Sequence, residues 1–271
     1  MTTEPMIIDL QLSGAEMLYL QSALNLNRFI GGSSADVQLT DEIANIWRLN
    51  GLHALRARGF VQDDHANQTL EIDHTLGGML IACHSAERVI YIDRRIGGEQ
   101  LTSSCLHIHD EVVVIHRRER PSIDRFMMFA DPQVMINQIL LEVPLTSEGE
   151  EYIPAISLPQ ELFATLLDDL SAGNQDAVHT TLLKQHVEIP ITEQFIQALT
   201  GPYINSSIMG IVDKKSSGSA GQARQLTFID TSQGIWLIER NDPHKVSIER
   251  VNRASAQARL VMLLTYIYEV N

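Results

Sequence analysis

Cysteine is scarce in this chain of 271 residues, which holds only Cys83 and Cys105. Two thiols that nothing forces together exclude a disulfide framework and read as buried and reduced. Positive charge is also short. Twenty Lys and Arg face 34 Asp and Glu, a net charge of −14, so the chain repels a phosphate backbone and nucleic acid is not an expected partner. A long apolar run is missing, and Met1-Thr2-Thr3-Glu4-Pro5 carries no positive flank. Neither a secretory signal nor a membrane span is expected, and the chain reads as cytoplasmic. Phosphate-loop patterns are missing too: Gly77-Gly78 and Gly97-Gly98 precede no Gly-Lys-Ser/Thr and read as packing and turn glycines. No cofactor or metal is expected.

What is present is an internal echo. Ser122-Ile123-Asp124-Arg125 returns as Ser247-Ile248-Glu249-Arg250, 125 positions on. Ile92-Asp93-Arg94-Arg95 answers Val212-Asp213-Lys214-Lys215, and Val114-Ile115-His116-Arg117 answers Leu237-Ile238-Glu239-Arg240, at offsets of 120 and 123. Much of Val89–Leu141 is thus written again over Met209–Leu264, and a repeat on this scale fixes the architecture. It predicts two α+β halves, residues 1–145 and 146–271, joined about a pseudo-twofold axis into one compact structure. The acidic stretch Thr146 to Glu151 is the boundary.

Local signals place the elements. Ser13-Gly14-Ala15-Glu16 has capping-box spacing and predicts a helix to about Arg28 with Met17, Leu20 and Leu24 inward. A second helix opens at Asp41-Glu42, carries Ile43, Ile46, Trp47, Leu52 and Leu55 as its stripe, and ends at Gly59. A third spans Ile72 to Cys83. The period then changes to two over Val89–Ile92, Cys105–Ile108, Val112–Ile115 and Ser122–Met127, an antiparallel meander. Asp131-Pro132 caps a closing helix from Val134 to Leu141. In the second half, Ser157-Leu158-Pro159-Gln160 resembles another capping box before the amphipathic Leu162–Leu170. Helices at Ala177–Gln185 and Thr192–Leu199 follow, then strands at Ile208–Asp213, Gln225–Asp230, Ile235–Arg240 and Val246–Val251, and a helix from Ala254 to Tyr268.

Chemistry is hard to find on this frame. His107, His109 and Glu111 alternate along one strand, and two imidazoles on one face at about 7 Å are metal-like spacing with no third ligand; exposed strand positions are the plainer reading. Cys83-His84 are neighbours on a helix and do not face each other. The run Arg56-Ala57-Arg58-Gly59-Phe60-Val61 after a helix has the look of a winged helix, against which the acid surface argues. Titratable residues form no acid, base and nucleophile set, so a binding protein is expected rather than an enzyme. The alternatives are a winged-helix transcription regulator and a metal-dependent hydrolase using His107 and His109.

The order of elements resembles the EspG family of ESX (type VII) secretion-associated proteins. Three stretches carry the likeness: Leu55 to Val61 followed by Leu70 to Ala82; Phe228-Ile229-Asp230-Thr231-Ser232-Gln233-Gly234-Ile235-Trp236-Leu237; and Lys245 to Val251 with the helix to Tyr268. Ile235 departs from the pattern, where a charged residue would precede the aromatic one. The resemblance implies a quasi-twofold α+β protein with a central antiparallel β-sheet flanked by two helical bundles. It further implies a cytosolic chaperone that binds a protein partner, possible secretion substrates included, and is not an enzyme. The partner surface is expected on the second half's exposed sheet, near the flexible loop Ser216-Ser217-Gly218-Ser219-Ala220-Gly221. Tyr203 and Trp236 are candidate anchors there; a core position is the other reading of Trp236.

Overall fold

A computed structural model of the chain describes residues 8–26, 39–64, 69–96, 99–120, 122–129, 131–149, 153–212 and 222–269. The chain divides into two compact units, Met1–Val89 with Ser104–Met135, and Ile90–Ser103 with Ile136–Asn271.

The first unit opens with β1 (Ile8–Ser13) and α1 (Gly14–Ala23), followed by α2 (Asp41–Ala57), the hairpin β2 (Val61–Asp64) and β3 (Thr69–Ile72), and α3 (His74–His84). Ser13 caps α1 as the sequence predicts: its Oγ accepts from the Glu16 amide at 3.3 Å, and Glu16 Oε2 accepts from the Ser13 amide at 2.7 Å. The other Glu16 oxygen accepts from Arg58 Nη1 at 2.7 Å, and Arg58 Nη2 donates to the Gln11 carbonyl at 2.9 Å. One helix cap therefore also holds the end of α2. Four strands of the meander follow in the chain, β4 (Arg88–Ile96), β5 (Glu99–His109), β6 (Val112–Arg120) and β7 (Ile123–Phe129). Within this unit the strand order is β1-β7-β6-β5. Leu12, Met17, Leu20, Leu55, Leu80 and Phe126 belong to its core.

Two expectations fail here, and one strand lies outside the sequence reading. The stretch before α3 is a strand, not the helix start expected at Ile72, because Thr69–Ile72 pair with Val61–Asp64. β1 pairs with β7, Ile8 opposite Met128, a partner too distant in sequence for local pattern to reveal. In α2, Leu55 is buried as expected, but Ile43 and Ile46 are 43% and 53% exposed, and Ala44 and Gly51 face inward in their place. Gly51 sets that choice: a Cβ there would lie 2.1 Å from the Ala15 carbonyl oxygen, so α1 and α2 meet backbone to backbone.

The second unit contains Ile90–Ile96 of β4, the start of β5, and the latter part of α4 (Pro132–Glu142), whose start is capped by Asp131 accepting from the Gln133 amide at 2.8 Å. Then come β8 (Ile153–Pro159), α5 (Gln160–Ser171), α6 (Gln175–Lys184), α7 (Ile189–Thr200), β9 (Ile204–Val212), β10 (Gln222–Thr231), β11 (Gly234–Asp242), β12 (Lys245–Val251) and α8 (Arg253–Glu269). The strand order is β4-β9-β10-β11-β12-β8. Ser157–Gln160 is not a capping box: Ser157 is paired with Ser247 in β8, and α5 starts after Pro159 with no side-chain cap. Phe163, Leu166, Val178, Leu182, Phe195, Trp236 and Ile248 join α5, α6 and α7 to one face of the sheet. Leu260, Leu264 and Ile267 of α8 are buried, and α8 lies against β9, β10 and β11.

The strand registers of the two units correspond at a constant spacing. Ser104 faces Arg117 as Leu226 faces Glu239, and Ile115 faces Met127 as Leu237 faces Glu249. Each counterpart lies 122 positions on, 226 against 104 and 249 against 127. The echo of Ser122–Arg125 in Ser247–Arg250 is therefore three residues out of register, an odd slip that exchanges the faces of a strand. Asp124 lies on the same face as Phe126 of the first unit's core, whereas Glu249 lies opposite Ile248 and approaches Arg259 of α8 at 3.5 Å.

A buried carboxylate ties the second unit together. Asp230, 4% exposed at the end of β10, accepts from the Thr146 amide at 2.6 Å, from the Thr146 hydroxyl at 2.8 Å and from the Ser147 amide at 3.2 Å. Ser147 Oγ also donates to the Thr231 carbonyl. Gly234, at φ +141, closes the β10–β11 turn in a conformation only glycine adopts readily. The Asp-Thr-x-x-Gly signature read from the sequence is thus a clamp and a turn.

Two outcomes follow from these contacts. Gly51→Ala forces α1 and α2 apart and lowers stability by about 1–3 kcal/mol, read as the urea midpoint; an unchanged midpoint removes the close approach from the account. Asp230→Ala removes the buried acceptor of two amides and a hydroxyl and costs roughly 1–3 kcal/mol in the same measurement, whereas an exposed control, Asp176→Ala, leaves the midpoint in place.

Candidate functional site

Two places in the chain gather polar side chains: a buried cluster in the first unit and a solvated sheet face in the second. The buried cluster is built from β5, β6 and β7. His116 Nε2 lies 2.8 Å from Asp124 Oδ1, and its ring stacks on Phe126 with centroids 4.5 Å apart. His107, 1% exposed, has its ring 6.3 Å from that of His116. Burial first, and the neighbouring His116 second, bring the His107 imidazole down from its usual 6.5 to about 3. His107 is a core histidine and not the exposed strand residue expected. His109 points outward, with Glu87 at 3.8 Å and Asp110 at 4.0 Å. Among the described residues no group of three His, Cys, Asp or Glu side chains is placed to hold a metal. Cys83 and Cys105 are buried and free; burial raises the Cys83 thiol well above its usual range and pushes Cys105 up to about 12. Thiols so protonated are not nucleophiles.

The arginines of the winged-helix reading are engaged within the protein. Arg56 pairs with Asp63 at 2.5 Å, and Arg58 with Glu16 while stacking 4.8 Å over Phe60.

The sheet face of the second unit is different. Side chains alternate along β9, so Ser206, Ile208, Gly210 and Val212 turn to the α8 side and are buried. Gly210 is so close to α8 that a Cβ would stand 2.5 Å from Ile267. Asn205, Ser207, Met209 and Ile211 turn the other way and are half-exposed. Met209 faces Gln225, which faces Arg240; Ser207 faces Thr227. Gln225 Nε2 donates to Ser207 Oγ at 2.8 Å, and Arg240 Nη1 donates to Gln225 Oε1 at 3.4 Å. β4 lies beside β9, and Arg94 there feels Asp230 and Glu142. Tyr91 and Asp93 therefore share the half-exposed side, where the Tyr91 hydroxyl accepts from Ser103 at 2.8 Å. Helices α5 to α7 cover Ile229, Trp236, Ile238 and the strands beyond them, and the polar row begins where that cover ends. A cleft of about 680 Å³ opens at its α5 end, among Gln160, Met209, Gln225, Arg240, Asn241 and Pro243.

Of the anchors read from the sequence, Tyr203 precedes β9, half-buried against the core of its unit. Trp236 is 2% exposed, its ring edge-on to Phe195 at 5.1 Å; it is a core residue and presents nothing to a partner. Ser216, Ser217, Gly218 and Ser219 lie outside the described residues. Sequence reasoning missed Ser207, Met209, Gln225 and Arg240, although their alternation with Ile208, Leu226 and Leu237 is a legible mark of a strand with one solvated face.

No protein-family model matches this chain, and no curated protein matches it in sequence. Its fold does match a solved structure, the Mycobacterium tuberculosis type VII secretion system chaperone EspG5 in complex with the PE25–PPE41 dimer, with a TM-score of 0.65 over 93% of this chain and 94% of that one. Sequence identity is 11%, so the likeness establishes the EspG-like fold. No helix among the described residues is long and apolar enough to cross a membrane.

The His107 environment predicts a pH dependence. The folded state refuses a proton that the unfolded chain accepts below about 6.5, so the His107 contribution is neutral above that pH and destabilising as pH falls toward about 3. In unfolding titrations across this window, His107→Gln should lose stability with a shallower slope than the wild type; parallel slopes would show that His107 is not a source of the acid sensitivity.

Proposed function

We propose that this chain is a non-enzymatic, cytosolic binding protein, an EspG-like secretion chaperone or adaptor, and that its protein partner seats on the half-exposed face of β9, β10 and β4 in the second unit. The observation that carries the reading is the match of fold along nearly the whole length to a chaperone solved with a protein dimer bound. Support comes also from the face itself. Its strands carry Asn205, Ser207, Gln225 and Thr227 around Met209, a mixed polar and apolar surface already ordered by cross-strand hydrogen bonds, which suits docking with little reorganisation. Tyr203 at the head of β9 is the aromatic that borders it, and the Ser216–Gly221 connection joins the same two strands. We read the halves 1–145 and 146–271 as copies of one α+β repeat, each with its helical bundle, on the strength of the constant 122-position register.

Affinity capture from the native cytosol, with mass spectrometry, tests the reading. The wild type should enrich one protein or protein pair in near-stoichiometric amount. Met209→Lys, which places a charge in the middle of the face without entering the core, should lose it, and a change on the far side of α6, Asp176→Asn, should retain it. No enriched protein with the wild type, or equal capture by Met209→Lys, would refute the proposal.

A further inference from the structure

Several arginines of the chain are matched to acids: Arg58 to Glu16, Arg125 to Asp9 and Glu119, Arg253 to Glu148. Arg240 is held differently. It is half-buried at the wall of the cleft, and burial lowers its pKa with no acid to offset the effect, whereas at Arg94 the charges of Asp230 and Glu142 oppose it. Among the described residues no carboxylate lies within ion-pair distance of Arg240. Its guanidinium carbon sits 5.3 Å from the Phe163 ring, and among the described residues its hydrogen bond is the 3.4 Å contact to the neutral Gln225 amide while its buried Nε meets no partner. Glu239, next in sequence, turns to the other face toward Arg259. Asp242 at the rim has one oxygen committed to the His244 amide at 2.8 Å.

From this geometry we infer that the cleft takes a carboxylate side chain of the partner protein, received by the Arg240 guanidinium between Gln160, Gln225 and Met209. The inference rests on the proposed function and names the chemistry of the group at its site. An arginine fork presents parallel donors that fit one carboxylate, and such charge-assisted pairs are strongest where water is partly excluded. A phosphate dianion calls for further cations, and the second arginine at the cleft, Arg224, is laid over the Tyr266 ring at 3.5 Å. The net charge of −14 disfavours diffuse attraction of anions, so an acidic occupant has to be held by local contacts. The charge also supplies selectivity: a basic segment would leave the guanidinium buried against a like charge, which is costly.

The test uses a fluorescein-labelled helical peptide bearing Glu residues and its Gln counterpart, read by fluorescence anisotropy on the whole protein at about 0.1 M salt. The wild type should prefer the Glu peptide by about tenfold. Arg240→Gln should erase the preference and Arg240→Lys should keep part of it, since an ammonium supplies charge without the fork; thermal unfolding of both variants establishes that they are folded. Equal binding of the two peptides by the wild type, or an undiminished preference in Arg240→Gln, overturns the inference. Displacement of the Glu peptide by inorganic phosphate beyond that by chloride of equal ionic strength also overturns it, in favour of a free-anion site. Capture from cytosol separates the two claims: a partner retained at wild-type level by Arg240→Gln sinks the carboxylate contact and leaves the chaperone reading intact, whereas a wild type that captures nothing removes the chaperone reading itself.

Discussion

The second unit depends on the burial of one carboxylate. Asp230 loses its hydration at the end of β10, and the loss is tolerable because the Thr146 amide and hydroxyl and the Ser147 amide converge on it. Those donors belong to the connection after α4, so the clamp fixes where that connection runs. Arg253 then extends the hold: its guanidinium meets Glu148 at 2.8 Å and its amide donates to the Glu148 carbonyl at 3.1 Å. The first turn of α8 is positioned by a connection that β10 itself positions. Because α8 lies on β9, β10 and β11, one of the two faces of those strands is committed to it.

The commitment explains the character of the other face. On the α8 side the strands offer Ile208, Leu226, Phe228 and Leu237, all buried, and Gly210 lets Ile267 come down onto the backbone. On the other side α5, α6 and α7 converge on Ile229, Trp236, Ile238, Val246 and Ile248, a buried cluster to which no described residue of β9 belongs. A strand without helical cover must carry side chains that water accepts, hence Asn205, Ser207, Gln225 and Thr227, of which Ser207, Gln225 and Thr227 hydrogen-bond across the strands. The candidate site is the part of the sheet that the helical layer leaves open.

The sequence made the period-two strands legible because most meander strands follow their neighbours after a short turn, and local pattern is enough to see it. The Ser13–Glu16 cap was legible for the same reason, since all its atoms lie within four residues. Edge strands were not: β1 and β8 acquire their identity from β7 and β12, with Ile8 opposite Met128 and Pro159 opposite Lys245, and Ser157-x-x-Gln160 satisfies a helix-start pattern while its backbone is occupied in a ladder. The repeat was found through identical letters, Ser-Ile-Asp-Arg against Ser-Ile-Glu-Arg, yet these lie on opposite faces once the pairing is known. Surface charges recur easily, and register is fixed by what is buried. In α2 the apolar periodicity pointed to Ile43 and Ile46, whereas the packing was decided by a residue with no side chain, Gly51.

Aromatic residues misled in the opposite direction. A tryptophan on a strand invites the role of interface anchor, because Trp is enriched among residues that dominate binding, but the same large surface is worth as much inside. At Trp236 the helical bundle supplies Phe195 edge-on, and the indole is drawn into the core, which leaves the proposed binding face without its most obvious candidate. Recognition on the proposed face, whose amides and hydroxyls surround Met209 and Ile211, would then not rest on a single buried aromatic. It has to be distributed over modest contacts, with orientation supplied by a group whose geometry is strict. In an acid protein where carboxylates outnumber cations, a guanidinium kept from them beside Phe163 is the group on this face with that strictness.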